Sequence, residues 1–355
     1  MSGTEDGASR YHADQLRTFV ESVLGHVGVT AEHAVRIADG LVRADLRGVD
    51  SHGVARLEVY VRKFEGGGFN PDPDMQVTPL GGSAALLDAD DGPGQSAGWA
   101  AMDAAMDLAD ETGVGLVAVR NSNHFGTAAY YTERASDRDF VGLATTNVGP
   151  DVIPFGGATR FLGTNPISFS VPTDREFPIT LDMATSVVAM GKIQEVARRE
   201  DSAIPADWAV DADGEPTTDP HEAVAVRPVG GPKGYGLGIV VDVLSGLLSG
   251  AGPSPSVGPL YDDFDRPMRL GHFVGAIDVA TFRETAEFKR ELGDYIDQLK
   301  AVEPREGFDE VKLPGELEFE RLREQQREGV ALQPSTVESL ESLASEYGVS
   351  FPSPE

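Results

Sequence analysis

The 355-residue chain contains no cysteine, which excludes disulfides, thiolate metal sites and cysteine nucleophiles. Lysine is nearly as scarce, confined to Lys63, Lys192, Lys233, Lys289, Lys300 and Lys312. The 58 acidic residues outnumber 29 basic ones, leaving a formal net charge of -29. Acid spread along the whole chain, with arginine preferred to lysine, describes a surface kept soluble in concentrated salt. Apolar periods run through nearly all of the sequence and separate it from a disordered polyelectrolyte. Such a surface repels nucleic acid and anionic lipid, which excludes both as partners. Long hydrophobic runs are also missing: the longest, Gly236 to Gly252, is interrupted by Asp242, and MSGTEDGASR at the N-terminus has no apolar stretch. A cytoplasmic location is the expectation. An anionic small molecule could approach only where cations gather, which singles out Arg56, Arg120 and Lys233.

What is present is organised as helices around a mixed centre. Leu16 to Val23 and Val35 to Val42 carry a helical period, and Asp45 to Tyr60 opens a third helix. The breaker cluster Gly66 to Asp74 marks a boundary. Beyond it the pattern alternates: strand Ala84 to Leu87, helix Ala97 to Leu108, strand Gly115 to Val119, helix Ala128 to Ala135, strand Val141 to Thr145. Strands Ile167 to Val171 and Ile179 to Leu181 follow, then helices Val187 to Val196, Gly236 to Leu248 and Thr285 to Leu299. A helical stretch from Glu316 to Tyr347 has a cap signal at Ser335. The expected fold class is α+β, a mixed α/β core flanked by helical N- and C-terminal segments. Its divisions are a flexible tail (1–10), a helical segment (11–72), the core (73–284) and a helical segment (285–355) packing back on the first.

Chemistry concentrates in a few segments. A helix read forward from a cap at Asp50 or Ser51 places His52, Arg56 and Tyr60 on one stripe, with Leu57, Val61 and Phe64 on the opposite, core-facing side. An imidazole, a guanidinium and a phenol can grip and titrate a small carboxylate. His124 stands between a strand and a helix, where ligands sit in α/β cores, with Asn121, Ser122 and Asn123 available to orient its ring. Gly156, Gly157 and Gly163 with Thr164 and Asn165 can form an anion-binding nest, or simple tight turns. Asp182 ends a strand and could accept from a ribose hydroxyl, polarise a histidine or cap a helix. Lys233 lies in a glycine loop ahead of a helix N-terminus, which suits a phosphate. Asp91 to Gly98 misses the Rossmann spacing by one residue and reads as a turn into a helix. Asp211 to Glu222 resembles a calcium loop, but Pro216 stands where such a loop needs glycine, so no metal site is expected.

Taken together, SHGVAR, SNHFG, PFGG with GTNP, LDMATS and GPKGYGLG occur in an order that resembles the type-2 malate/L-lactate dehydrogenases. That family includes L-sulfolactate and ureidoglycolate dehydrogenases and cyclic-imine reductases, and the likeness runs from about Leu16 to Glu316. The resemblance implies an oxidoreductase of 2-hydroxy acids using NAD or NADP, a homodimer, and a cofactor-binding β-sheet domain that is not a Rossmann fold. It implies that His124 is the acid/base histidine and that Arg56 and Tyr60 contact the substrate carboxylate. Asp182, Met183 and Ala184 correspond to a cofactor-binding strand end and Lys233 to a cofactor contact. A competing assignment in the family gives the proton to a relay, here Ser51, His52 and Asp182. The same three residues admit a hydrolase, although adjacent Ser51 and His52 on a helix are poorly placed to meet, and no GxSxG elbow is present. A non-enzymatic acidic binding module is the remaining alternative.

Overall fold

The computed structural model describes residues 8–197 and 202–355. The elements in chain order begin with strand β1 (Ser9–Tyr11), helices α1 (Ala13–His26), α2 (Ala31–Leu46) and α3 (Leu57–Gly66), and strands β2 (Gln76–Gly81) and β3 (Ala84–Asp88). Then come α4 (Gly94–Thr112), β4 (Val114–Ser122), α5 (Ala129–Ser136), β5 (Phe140–Thr146), β6 (Ile167–Val171), β7 (Ile179–Met183) and α6 (Met190–Ala197). Short strands β8 (Ala209–Val210), β9 (Pro216–Thr217) and β10 (Ala225–Val226) precede α7 (Pro232–Asp242), which continues as a π-helical turn over Val243–Leu248. The chain closes with β11 (Leu270–Asp278), α8 (Val279–Phe282), α9 (Thr285–Lys300), α10 (Glu316–Glu328), β12 (Val330–Leu332) and α11 (Pro334–Tyr347).

The main sheet has seven strands in the order β2-β3-β4-β11-β5-β6-β7. Only β3 and β4 run parallel; every other pair is antiparallel. Its centre is β11, which the sequence pattern did not single out because seven consecutive residues from Leu270 to Ala276 are buried and no alternation survives. Helices α4 and α5 cover one face through Ala101, Ala105, Tyr131 and Ala135. The π-helical turn packs on the strands as well, and Ser245 hydrogen-bonds Thr145 at 2.8 Å. No helix among the described residues is long and apolar enough to cross a membrane.

A second core joins the two ends of the chain. Leu16, Phe19, Ile37, Leu41, Leu57 and Val61 pack with Leu322, Val330, Leu340 and Leu343. Ser9 and Arg10, expected in a tail, belong to β1, which pairs with β12. The expected helical run from Glu316 to Tyr347 is accordingly two helices around a strand. Pro334 opens the second helix at the position its fixed φ suits, ahead of the expected cap Ser335. Helix α9 lies elsewhere, where Arg175 donates to the Gly293 carbonyl and pairs with Asp297.

The third helix departs from its expected form in a way that shapes the site. Asp50–His52 and Val54–Arg56 are two 3-10 turns, and α-helix begins only at Leu57. The buried Asp45 carboxylate accepts from the Val54 amide at 2.8 Å, and a Cβ on Gly53 would collide with that carboxylate. The close approach demands glycine and breaks the helix there. Tyr60, expected on a polar stripe, is 1% exposed and packs with Leu57, Val61 and Phe64.

Candidate active site

The 3-10 turns, α3, α4 and the loop after β4 converge on two histidines. The rings of His52 and His124 stack with centroids 5.5 Å apart. Tyr60 Oη lies 2.6 Å from His124 Nδ1, and Gln95 Nε2 donates to the same oxygen at 2.9 Å. Ser51 Oγ is 2.9 Å from His52 Nδ1, so the adjacent pair does meet; the tight turn brings together side chains that an α-helix would splay. Arg56 Nε donates to the Ser51 carbonyl at 2.6 Å, and its guanidinium carbon lies 5.2 Å from the Tyr261 ring. Its two Nη groups make no hydrogen bond among the described residues.

The loop that carries His124 is locked from beneath. Asn123 Nδ2 donates to the carbonyls of Asp91 and Gly92, and its Oδ1 accepts from the Met268 amide at 2.9 Å. Ser122 bonds His272 Nε2 at 2.7 Å, and Thr146 bonds His272 Nδ1 at 2.8 Å. Asn121, Ser122 and Asn123 thus fix the loop rather than touching the His124 ring. A Cβ on Gly94 would strike the carbonyls of Asn123 and His124, so the segment read as a turn into α4 is also a seat for this loop. The stretch from Tyr261 to Arg266 is held by Lys63, whose buried ammonium donates to the carbonyls of Asp262, Asp263 and Arg266 at 3.1–3.2 Å.

Electrostatics keep both imidazoles neutral. Burial, and then the Arg56 charge, push His52 down to about 4. Burial, reinforced by His52, Arg56 and His272, holds His124 well below the usual histidine range. Burial raises the Tyr60 phenol to about 12, opposed by the Gln95 hydrogen bond and Arg56.

A cavity of about 450 Å³ opens beside His52. Arg47, His52, Thr164 and Asp182 supply its polar wall, and Leu181, Met183, Ala184, Leu313, Pro314 and Leu317 its apolar one. Asp182 faces this space and accepts from the Ala129 amide at 2.8 Å, so it caps α5 rather than the helix that follows it in sequence. Burial lifts its carboxyl to about 6, against the pull of that amide and of Arg47. Arg47 is itself buried and paired with Glu133, which also binds Arg43 at 2.8 Å. His52 and Asp182 share the cavity wall without a hydrogen bond between them.

Other expected residues lie apart from this cavity. Gly157 lines a second cavity, of about 370 Å³, with Gly230, Gly231 and Arg227. Lys233 is exposed on the first turn of α7. Asn165 is fully buried, accepting from Val148 and donating to Gly238, so its amide is spent on the scaffold. Arg120 pairs with Asp88 at 3.0 Å. In the Asp211 to Glu222 segment, Asp211 accepts from the amides of Asp213 and Glu215, an ordinary turn between short strands.

Residues 11–341 match the sequence model of the malate/L-lactate dehydrogenases. The chain belongs to the malate/L-lactate dehydrogenase family. It is 40% identical over 350 residues to a malate dehydrogenase of Pyrococcus horikoshii, covering 96% of each chain. It is 37% identical over 319 residues to the ureidoglycolate dehydrogenase (NAD(+)) of Escherichia coli K12, covering 90% of this chain and 91% of that one. The solved malate dehydrogenase of Entamoeba histolytica superposes with a TM-score of 0.92 at 31% identity, covering 98% of this chain and 100% of that one. As a member of the malate/L-lactate dehydrogenase family, the protein is an oxidoreductase of 2-hydroxy acids dependent on NAD(P). The cavity beside His52 fits a nicotinamide: it is large enough for a flat ring, apolar on one wall and bordered by carboxyl and hydroxyl groups on the other.

Proposed function

We propose that the protein interconverts malate and its 2-oxo acid, with Arg56 binding the C2 carboxylate and His124 exchanging the proton of the C2 oxygen. The observation that carries this reading is the convergence of Arg56, His52 and His124, with two guanidinium Nη groups left for a carboxylate beside two neutral imidazoles. The nicotinamide of NAD or NADP supplies or accepts the hydride. Met183, Ala184 and Thr164 border the cavity that would hold it, and Asp182 sets its polar edge. Gly157 and Lys233 are proposed for the remainder of the cofactor, Asn165 for the scaffold beneath it. His52, anchored by Ser51, orients the His124 ring and the substrate. The Ser51–His52 hydrogen bond supports the competing Ser51, His52 and Asp182 relay, while Asp182, which accepts from the Ala129 amide and makes no hydrogen bond to His52, speaks against it.

The protein is also proposed to be a homodimer and, since its reaction needs a nicotinamide cofactor, cytoplasmic. Leu237, Val240, Val243 and Leu247 form an exposed apolar face on α7 and the turn after it, which supports burial against a second copy. Sedimentation of wild type and Val240→Asp tests this; a monomeric wild type refutes it. A panel of 2-oxo acids, assayed with NADH and NADPH in about 1 M KCl, tests the activity. Turnover of oxaloacetate above that of pyruvate is expected, and no turnover of either overturns the proposal.

A further inference from the structure

We propose that Tyr60 is a positioning residue that fixes the tautomer of His124 and backs its proton transfer, with Gln95 holding the phenol from the other side. The inference rests on His124 as the acid/base residue and adds two residues that act through it. The expectation from sequence was different, placing the Tyr60 hydroxyl on the substrate carboxylate beside Arg56.

The geometry of one oxygen decides between the two roles. A phenol donates one hydrogen bond and accepts up to two. Tyr60 Oη has two partners among the described residues, Gln95 Nε2 at 2.9 Å and His124 Nδ1 at 2.6 Å. Gln95 Nε2 can only donate, so Nδ1 is the one acceptor among the described residues for the buried phenolic hydrogen, which is therefore directed to it. An Nδ1 that accepts leaves the neutral imidazole with its hydrogen on Nε2. Tyr60 and Gln95 are each 1% exposed, and they come from α3 and α4, elements that pack into different cores. Two buried polar side chains in series, Gln95 on the phenol and the phenol on the ring nitrogen, are expensive to place unless each is satisfied by the next.

The consequence is a direction for the proton. In reduction of the 2-oxo acid, a bound reduced nicotinamide would supply the hydride for the new C2–H bond, and the chain's residues supply the proton. The His124 Nε2–H bond breaks and its proton goes to the C2 oxygen. The Tyr60 O–H bond breaks as its proton passes to Nδ1, so the imidazole remains neutral throughout. The phenolate left behind accepts from Gln95 Nε2 and from the new Nδ1–H, with Arg56 nearby, until a solvent proton restores it. Oxidation of the hydroxy acid runs the same chain backwards. A ring backed in this way never has to become an imidazolium against Arg56 and His52; the transient charge falls instead on the phenolate, where burial opposes it but the Gln95 hydrogen bond and Arg56 favour it.

The tautomer is read in cofactor-free protein from the imidazole 15N shifts, with His124 assigned by its disappearance in His124→Asn. Wild type should show the hydrogen on Nε2, and Tyr60→Phe should lose that bias. A wild-type hydrogen on Nδ1 overturns the proposal whether or not the enzyme is active. In the kinetic arm, Tyr60→Phe should lower kcat about 100-fold while KM for the 2-oxo acid stays within about threefold. A raised KM with kcat intact returns Tyr60 to the carboxylate and also overturns it. Gln95→Leu, which keeps the packing and removes the donor, should show the same split in milder form, with folding of each variant checked by thermal unfolding. Absence of turnover in wild type refutes the proposed function alone, since the 15N shifts report the tautomer independently.

Discussion

His52 and His124 stack 5.5 Å apart at an interplanar angle of 24°, so the two rings cannot both carry a positive charge. The proposed division of labour gives the substrate proton to His124 and an orienting role to His52. His124→Ala should lower kcat about 1000-fold, and His52→Ala should lower it less, both followed by nicotinamide absorbance. Full turnover in His124→Ala would move the proton to His52.

Arg56 spends its Nε on the Ser51 carbonyl and keeps its two Nη groups for a carboxylate. Lysine would keep the charge and lose the fork. Arg56→Lys should reduce kcat/KM about 100-fold, because a misplaced C2 hydrogen forfeits the proximity effect. A change of less than about threefold would show that any cation suffices there.

Glu133 is buried between Arg43 and Arg47 and borders the Asp182 region. Its removal strands a buried guanidinium. Glu133→Ala should cost about 3–5 kcal/mol in urea unfolding. A cost below about 1 kcal/mol would mean that water reaches Arg47.

Acid should destabilise the fold through its neutral histidines. His272 is fully buried and pushed down to about 3, while His52 is pushed down to about 4. Below the ordinary histidine value of 6.5 the unfolded chain binds protons that the folded rings refuse, so stability is lost as pH falls from there. Well below that value His272 alone contributes a slope of about 1.4 kcal/mol per pH unit. Asp182, lifted to about 6, acts oppositely between 6 and its ordinary 3.8, because its folded carboxyl takes a proton first. His272→Gln should flatten the slope in urea titrations between about pH 6 and 4; an unchanged slope would show the ring is protonated in the fold.

The charge of -29 predicts salt-strengthened stability. Raising KCl from about 0.1 M to about 1 M shortens the screening length from about 10 Å to about 3 Å, and the thermal midpoint should rise. A midpoint that falls would show that the surface ion pairs outweigh the repulsion.

The sequence made the local chemistry legible, since His52, Arg56, His124 and Asp182 each sit in a motif with turn or strand-end residues beside it. The helical form assigned to the first motif was wrong because Asp45, outside the assumed helix, captures the Val54 amide. Gln95, Arg47 and Lys63 were missed for a shared reason. Each acts on a partner 35 or more residues away, as Gln95 on Tyr60, Arg47 on Glu133 and Lys63 on the Asp262 carbonyl. A period along one chain carries no trace of such partners. The one available signal was the glycine at position 94, whose need for a close neighbour was read as a turn. Strand β11 escaped because burial on both faces erases alternation, although it is the strand on which His272 sits.

The three carbonyls around the Lys63 ammonium form the kind of oxygen nest that loops elsewhere offer to a dissolved metal ion. Here the positive charge is tethered by four methylenes. A chelator has nothing to remove, and a brine of any composition has nothing to exchange. The anchor of the stretch that lays Tyr261 over Arg56 therefore does not depend on which ions surround the protein, and the stretch is no cation-gated lid.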